Sequence, residues 1–132
     1  MGTLSVRDFT RHSIPTSAVF EKARKAVLPS WDISLVFVGK ARARALNTSL
    51  RNKTYTPNVL SYSAGNKSGE IIICPAVAKE QAPRHGHTPS HFMLALFIHG
   101  LFHLKGMQHG TTMEQSERAV LARVVSPIRT RT

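Results

Sequence analysis

Apolar residues recur along this chain with two different periods, and the changes of period divide it into elements. Thr3 to Asp8 alternates weakly and reads as a short first strand. From Pro15 to about Leu28 the period lengthens, and Val19, Phe20, Ala23, Val27 and Leu28 fall on one stripe of a helix that Pro29 and Ser30 end. Asp32 to Val38 is apolar and β-branched, which predicts a strand punctuated by Gly39. Ala41 to Leu50 is rich in Ala and Arg and predicts a second helix, delivering Asn47 and Arg51 at its C-terminal end. A turn-rich loop from Asn52 to Asn58 precedes a strand at Val59 to Tyr62. The turn chemistry of Ala64 to Gly69 then makes that strand and Glu70–Cys74 a hairpin or neighbouring edge strands.

Pro75 opens a helix through Ala82, and the stretch from Pro83 to Pro89 breaks the chain again. Thr88 as cap, with Pro89 in the first turn, starts a long helix. That helix is apolar nearly all round, so it belongs at the centre of the molecule. A last helix follows His109-Gly110 and turns Met113, Val120, Leu121 and Val124 inward. Pro127 is expected to stop it, leaving a loose basic tail over about residues 127–132. Interleaved strands and helices, without a Gly-rich nucleotide fingerprint, repeat or linker, predict one small mixed α/β or α+β domain over residues 1–132.

Charge adds a partner class. Lys and Arg number 18 against 7 Asp and Glu, a formal +11, which favours a polyanion. A solvated surface or an acidic lipid contact would give the same sum, but the distribution is uneven. Between Asp32 and Glu70 stand Lys40, Arg42, Arg44, Arg51, Lys53 and Lys67 with no acid among them. Cys74 is the single cysteine and lies in an apolar run, so it reads as a buried thiol in a reducing compartment. No apolar run approaches the roughly 18 residues of a membrane helix, and no signal-peptide region opens the chain; a cytoplasmic protein without a membrane partner is expected.

The chemistry is concentrated in His99-Gly-Leu-Phe-His103-Leu-Lys-Gly106-Met-Gln-His109. Two imidazoles four residues apart share one helix face, within reach of a single ion. Gly106 lets the chain turn, and His109 can swing back to complete a three-nitrogen site with a fourth position open, the pattern of a catalytic zinc. Imidazole also suits copper, iron and nickel, and composition leaves that choice open. A lone His in an apolar helix is usually a satisfied core residue; three at this spacing around a glycine are not explained that way. Zinc peptidases of the His-Glu-x-x-His type carry their general base directly after the first His, where this chain has Gly100, and no carboxylate occurs from Gln81 to Met113. Metal and cations alone suit a phosphodiester, whose developing charge a guanidinium neutralises bidentately.

This stretch resembles the signature His-Gly-x-Leu-His-Leu-x-Gly-Tyr-Asp-His of the YbeY family, bacterial metal-dependent endoribonucleases and ribosomal RNA maturation factors. A second block agrees: Leu46-Asn47, Arg51, Val59-Leu60-Ser61-Tyr62 and Gly69-Glu70-Ile71 resemble that family's Leu-Asn…Arg…Thr-Asp-Val-Leu-Ser-Phe…Gly-Asp-Ile. The resemblance runs from about the first helix to the last. It implies an α+β fold, a short mixed sheet packed with helices around a central buried His-bearing helix. It implies one Zn²⁺ per chain on His99, His103 and His109, catalytic roles for Arg51 and His99, and substrate contacts from Arg51, Asn58, Ser61 and, in the same basic stretch, Lys53. Its implied substrate is single-stranded RNA, and its implied task is processing of small-subunit rRNA near the 3′ end, with ribosome quality control. Ribosomal small subunits, ribosomal proteins or an assembly GTPase are the implied partners. Asn58, Glu70 and Gln108 each stand where the family has Asp, and Pro57 where it has Thr, which removes carboxylates that orient ligand imidazoles; Glu70 or Gln108 is left to accept a ring proton. Two other readings stand beside this one. The first is a non-catalytic RNA- or ribosome-binding module around a structural zinc, which would call for a fourth ligand such as His87 or His91. The second is another metallohydrolase, disfavoured by Gly100.

Overall fold

The computed structural model describes residues 1–129, with side chains described through Val125. Strands β1 (Thr3–Asp8), β2 (Asp32–Phe37), β3 (Val59–Gly65) and β4 (Ser68–Ile73) alternate with helices α1 (Ser17–Val27), α2 (Lys40–Arg51), α3 (Pro75–Gln81), α4 (Pro89–Lys105) and α5 (Thr111–Arg129). The sheet order is β1-β2-β4-β3, with β1, β2 and β4 parallel and β3 antiparallel on the edge beside β4. The fold is therefore a single α+β domain on a four-stranded mixed sheet, as the resemblance implied. β3 and β4 form the hairpin. It is longer than the apolar pattern suggested, because Asn66-Lys67 alone makes the turn and Ser68 and Gly69 pair with Gly65 and Ser63.

β4 is buried on both faces, which explains its unbroken Ile71-Ile72-Ile73 run. Ile71 and Ile73 join Leu35 and Phe37 beneath α1, α4 and α5, the larger core, while Ile72 faces Val38, Ala43 and Leu60 under α2. Phe97 of α4 meets the Phe20 ring of α1 edge-on at 5.1 Å. Helix α4 rests very close to the sheet. A Cβ on Gly100 would sit 3.1 to 3.3 Å from three side-chain atoms of Ile71, so the residue after His99 faces packed core with no room for a carboxylate. The position a peptidase gives to its base is here a contact surface.

Among the described residues, one charged side chain lies inside. Arg24 is 2% exposed; its guanidinium donates to both carboxylate oxygens of Glu21 at 2.7 and 2.8 Å and to the carbonyls of Pro29 and Trp31 at 3.0 and 3.3 Å. It thereby ties the end of α1 to the start of β2.

Two boundaries differ from expectation. Ala82–His85 forms a 3-10 turn before Gly86 reverses the chain into α4. The backbone of α5 continues through Pro127 to Arg129. A proline removes one N–H from the ladder, and in the final turn that loss is not enough to end the helix. The basic tail expected over about 127–132 is thus helical to Arg129, and its last three positions lie outside the described residues. Among the described residues no helix is long and apolar enough to cross a membrane.

Candidate active site

Two structural devices bring the histidines together. Thr88 Oγ1 accepts the backbone N–H of His91 and fixes where α4 begins, which sets the phase of His99 and His103 one turn apart at its other end. Gly106 (φ 97°) then ends the helix: its N–H goes to the His103 carbonyl and that of Met107 to Phe102, a Schellman-type reversal. The chain turned back in this way places the His109 ring 5.0 Å from His99 and 6.1 Å from His103, centroid to centroid. α4 is largely buried from Phe92 to Phe102, but its C-terminal end opens to solvent: His99 is half-buried and His103 and His109 are exposed.

The rings line a cleft of about 290 Å³. Asn58 with Val59 and Ser61 of β3, and Tyr55 and Pro57 of the loop after α2, line the same cleft. Arg51 lines the cleft from the C-terminus of α2 and donates from Nη1 to the Tyr55 hydroxyl at 3.2 Å. That loop is fastened from beneath. Asn47, fully buried, donates to the Tyr55 carbonyl at 3.0 Å, and Thr48 Oγ1 donates to the Lys53 carbonyl at 2.8 Å. The Asn of the motif's Leu-Asn pair is therefore a loop anchor.

Two of the imidazoles have a partner at Nδ1. His99 Nδ1 lies 2.7 Å from Glu117 Oε2; a carboxylate only accepts, so Nδ1 carries a proton, and in the neutral ring Nε2 is then the nitrogen that offers a lone pair. His103 Nδ1 lies 2.9 Å from Ser61 Oγ. Partial loss of hydration holds the His103 imidazole below the usual histidine range, and its neighbours His109, His99 and Arg51 act in the same direction. The neutral ring is the form that ligates a metal.

Two imidazoles on one tetrahedral ion, at about 2.0–2.1 Å from nitrogen to metal, have centroids about 5 Å apart. His99 and His109 meet that spacing, whereas His103 stands about 1 Å wide of it. Accordingly, among the described residues no group of three His, Cys, Asp or Glu is already closed to ligating distance. The donor set, its fixed tautomer at His99 and its exposed third ring fit a zinc-type ion once the exposed His103 ring adjusts.

Of the residues singled out in the sequence, His99, His103, His109, Arg51, Asn58 and Ser61 all line the cleft. Asn58 presents less than expected, since its amide donates to Gln81 Oε1 at 2.8 Å. Lys53 is exposed and does not line the cleft, because α2 ends at Arg51 and the loop turns at Asn52 in the left-handed conformation. Neither Glu70 nor Gln108 takes a ring proton. Glu70 lies on β4 facing away from the histidines and accepts from the Tyr62 hydroxyl. The acceptor is Glu117 of α5, which no local spacing could have indicated, and Tyr55 was likewise unforeseen.

Comparison with known proteins identifies the family and the fold. A sequence profile described as Endoribonuclease YbeY matches residues 3–125. Proteins of that name from Neisseria meningitidis and Bdellovibrio bacteriovorus are 35% and 34% identical to the chain over 119 and 94 residues, covering 82% and 70% of it. Those matches span 66% and 63% of the relatives' own lengths, so the chain spans just under two thirds of these curated proteins. One from Staphylococcus carnosus is 29% identical over 132 residues, covering 83% of the chain and 86% of the relative. The solution structure of TM1509 from Thermotoga maritima shares the fold, with a TM-score of 0.70 at 18% identity over 98% of this chain and 93% of that one. A histidine trio held at the end of a buried helix and a profile match over nearly the whole length together place the chain in the YbeY endoribonuclease family.

Proposed function

We propose that this protein is a zinc-dependent endoribonuclease that cuts single-stranded RNA, acting in small-subunit rRNA 3′-end maturation and ribosome quality control. The observation that carries the chemistry is the cleft itself, lined by three imidazoles, one of them oriented by Glu117, together with Arg51. Family membership supports an RNA substrate, the motif resemblance is what implies a ribosomal one, and the formal charge of +11 supports a nucleic-acid partner.

His99, His103 and His109 would hold the ion, one per chain. When bound, zinc supplies a Lewis acid for a phosphoryl oxygen and acidifies water toward neutral pH. The rest falls to the chain. Glu117 keeps the proton on His99 Nδ1 and raises the basicity of the opposite nitrogen. Ser61 restrains the His103 ring. Arg51, steadied by the Tyr55 hydroxyl, neutralises the negative charge that grows on the phosphate as the bond breaks. With no carboxylate free beside His99 to act as a peptidase base, phosphodiesters are favoured over peptides.

A structural-zinc binding module would require a fourth protein ligand. His85 and His87 instead stack on Phe92. The deciding experiment strips metal with a chelator and restores one zinc per chain. Cleavage of an end-labelled single-stranded rRNA fragment is expected to vanish and return, with no peptide cleavage in either state. Cleavage that survives complete stripping overturns the proposal.

A further inference from the structure

A second cavity, of about 340 Å³, lies beside the cleft and shares Asn58, Val59 and His99 with it. Its far side is built from different chemistry. The His85 ring lies nearly parallel to that of Phe92, with centroids 4.8 Å and planes 20° apart, and His87 stands over the same ring at 6.1 Å and 27°. Phe92 is rooted in the core at 6% exposed, while His85 is exposed and His87 half-buried. A rigid base thus carries an aromatic surface that solvent can reach. Glu117 adds a carboxylate, and neither Lys nor Arg lines the cavity.

The contrast between the two cavities decides the ligand class. The cleft offers Arg51 and a histidine trio, groups for a phosphate. The second cavity offers flat π faces and a carboxylate, which repels phosphate but accepts from an exocyclic amine. Burial, with the neighbouring His91 and His85 adding to it, keeps the His87 imidazole below the usual histidine range, so this ring is neutral and stacks as a heterocycle.

We propose that the second cavity is a nucleobase subsite, in which an unpaired base of the strand whose phosphate occupies the cleft stacks on the His85–His87–Phe92 surface. The assignment rests on the reading of the cleft as a phosphodiester site. It gives that site a physical reason to prefer single strands, since a paired base is not free to leave its own stack. It also ties base and metal together, because His99 lines both cavities and Glu117, which lines the second, holds His99 Nδ1.

The test uses the full chain and a 2′-O-methyl RNA oligomer carrying one 2-aminopurine, moved position by position, with His85→Ala/His87→Ala as the variant. Both side chains lie at the surface, and an unchanged thermal melt confirms the variant's fold. The expected result is fluorescence quenching confined to one position. In the variant that quenching disappears and affinity falls by about 5- to 100-fold, the range of one base–aromatic stack. Equal quenching at every position, quenching unchanged in the variant, or no binding of the oligomer overturns the subsite. Cleavage of the unmodified oligomer by zinc-loaded protein is measured in parallel. Cutting without position-specific quenching removes the subsite and leaves the ribonuclease reading. Position-specific quenching without cutting does the reverse.

Discussion

Glu117→Ala tests whether a contact made from the next helix tunes the histidine trio. The bond it removes is short, 2.7 Å from Oε2 to His99 Nδ1, and one partner is ionised. A hydrogen bond to a charged group contributes about 1.5–3 kcal/mol. The two side chains are 33% and 23% exposed, so solvent screening reduces this to about 1–2 kcal/mol, a 5- to 30-fold change in an equilibrium constant. That range overlaps the 10- to 100-fold loss of metal affinity common when an outer-shell partner is removed. Glu117→Gln retains an acceptor oxygen and is expected at the low end, Glu117→Ala at the high end. Zinc affinity is read by competition with a chromophoric chelator at neutral pH, with Glu114→Gln as control. Glu114 lies in the first turn of the same helix, so its substitution makes the same change of net charge without touching a ligand. It is expected to stay within about twofold of wild type. Equal affinity in Glu117→Ala and wild type, or an equal loss in the control, refutes the reasoning, because the effect would then be absent or come from the helix's general field.

Gly100→Ala places a carbon 3.1 to 3.3 Å from three atoms of Ile71; overpacking costs about 1–3 kcal/mol against about 1 kcal/mol gained in helix propensity. Urea unfolding should show a net loss of about 0–2 kcal/mol, and adding Ile71→Val, which deletes the nearest methyl, should recover part of it as a favourable coupling. Arg24→Met leaves buried carbonyls and Glu21 without their donor, with an expected loss of about 2–4 kcal/mol. The hydrogen bond from Arg24 holds the Glu21 carboxyl below its ordinary value. Its stabilisation is therefore present above about pH 4.5 and fades as pH falls through the lower folded value, so the variant's acid-unfolding curve should be flatter there. Tyr62, bonded to Glu70, is pushed up to about 12. Its contribution is complete below pH 10 and lost as pH rises through 12. Ultraviolet titration should show one of the two tyrosines ionising late, with Glu70→Gln bringing it back toward 10.

Elements whose cause is local were legible in the sequence. Thr88-Pro89 starts α4, Gly106 ends it, and the spacing of His99, His103 and His109 follows from helical period plus that turn. The apolar run of α4 announced a central helix, and Glu70–Cys74 announced a strand, but that this strand is interior and covered on both faces appears only in the sheet order. What could not be read is what depends on packing between distant segments. Glu117 reaches His99 across 18 positions because α5 folds back along α4, and nothing in its neighbourhood marks it as a partner. Lys53 looked like part of a basic stretch, yet a single left-handed residue, Asn52, carries it out of the cleft while Tyr55 enters. Gly100 stood out only as a missing peptidase base. The reason for its identity, contact with Ile71, appears only once helix and sheet are stacked.

The central claim is that the three-histidine cleft performs the cutting. Its most direct test compares zinc-loaded wild type with His103→Ala, purified identically, on an end-labelled single-stranded rRNA fragment. His103 is exposed, so its loss leaves the core intact. The expected result is defined cleavage by wild type and none by the variant, with both still binding the RNA. Equal cleavage by the two proteins would contradict the account and place the activity outside this site.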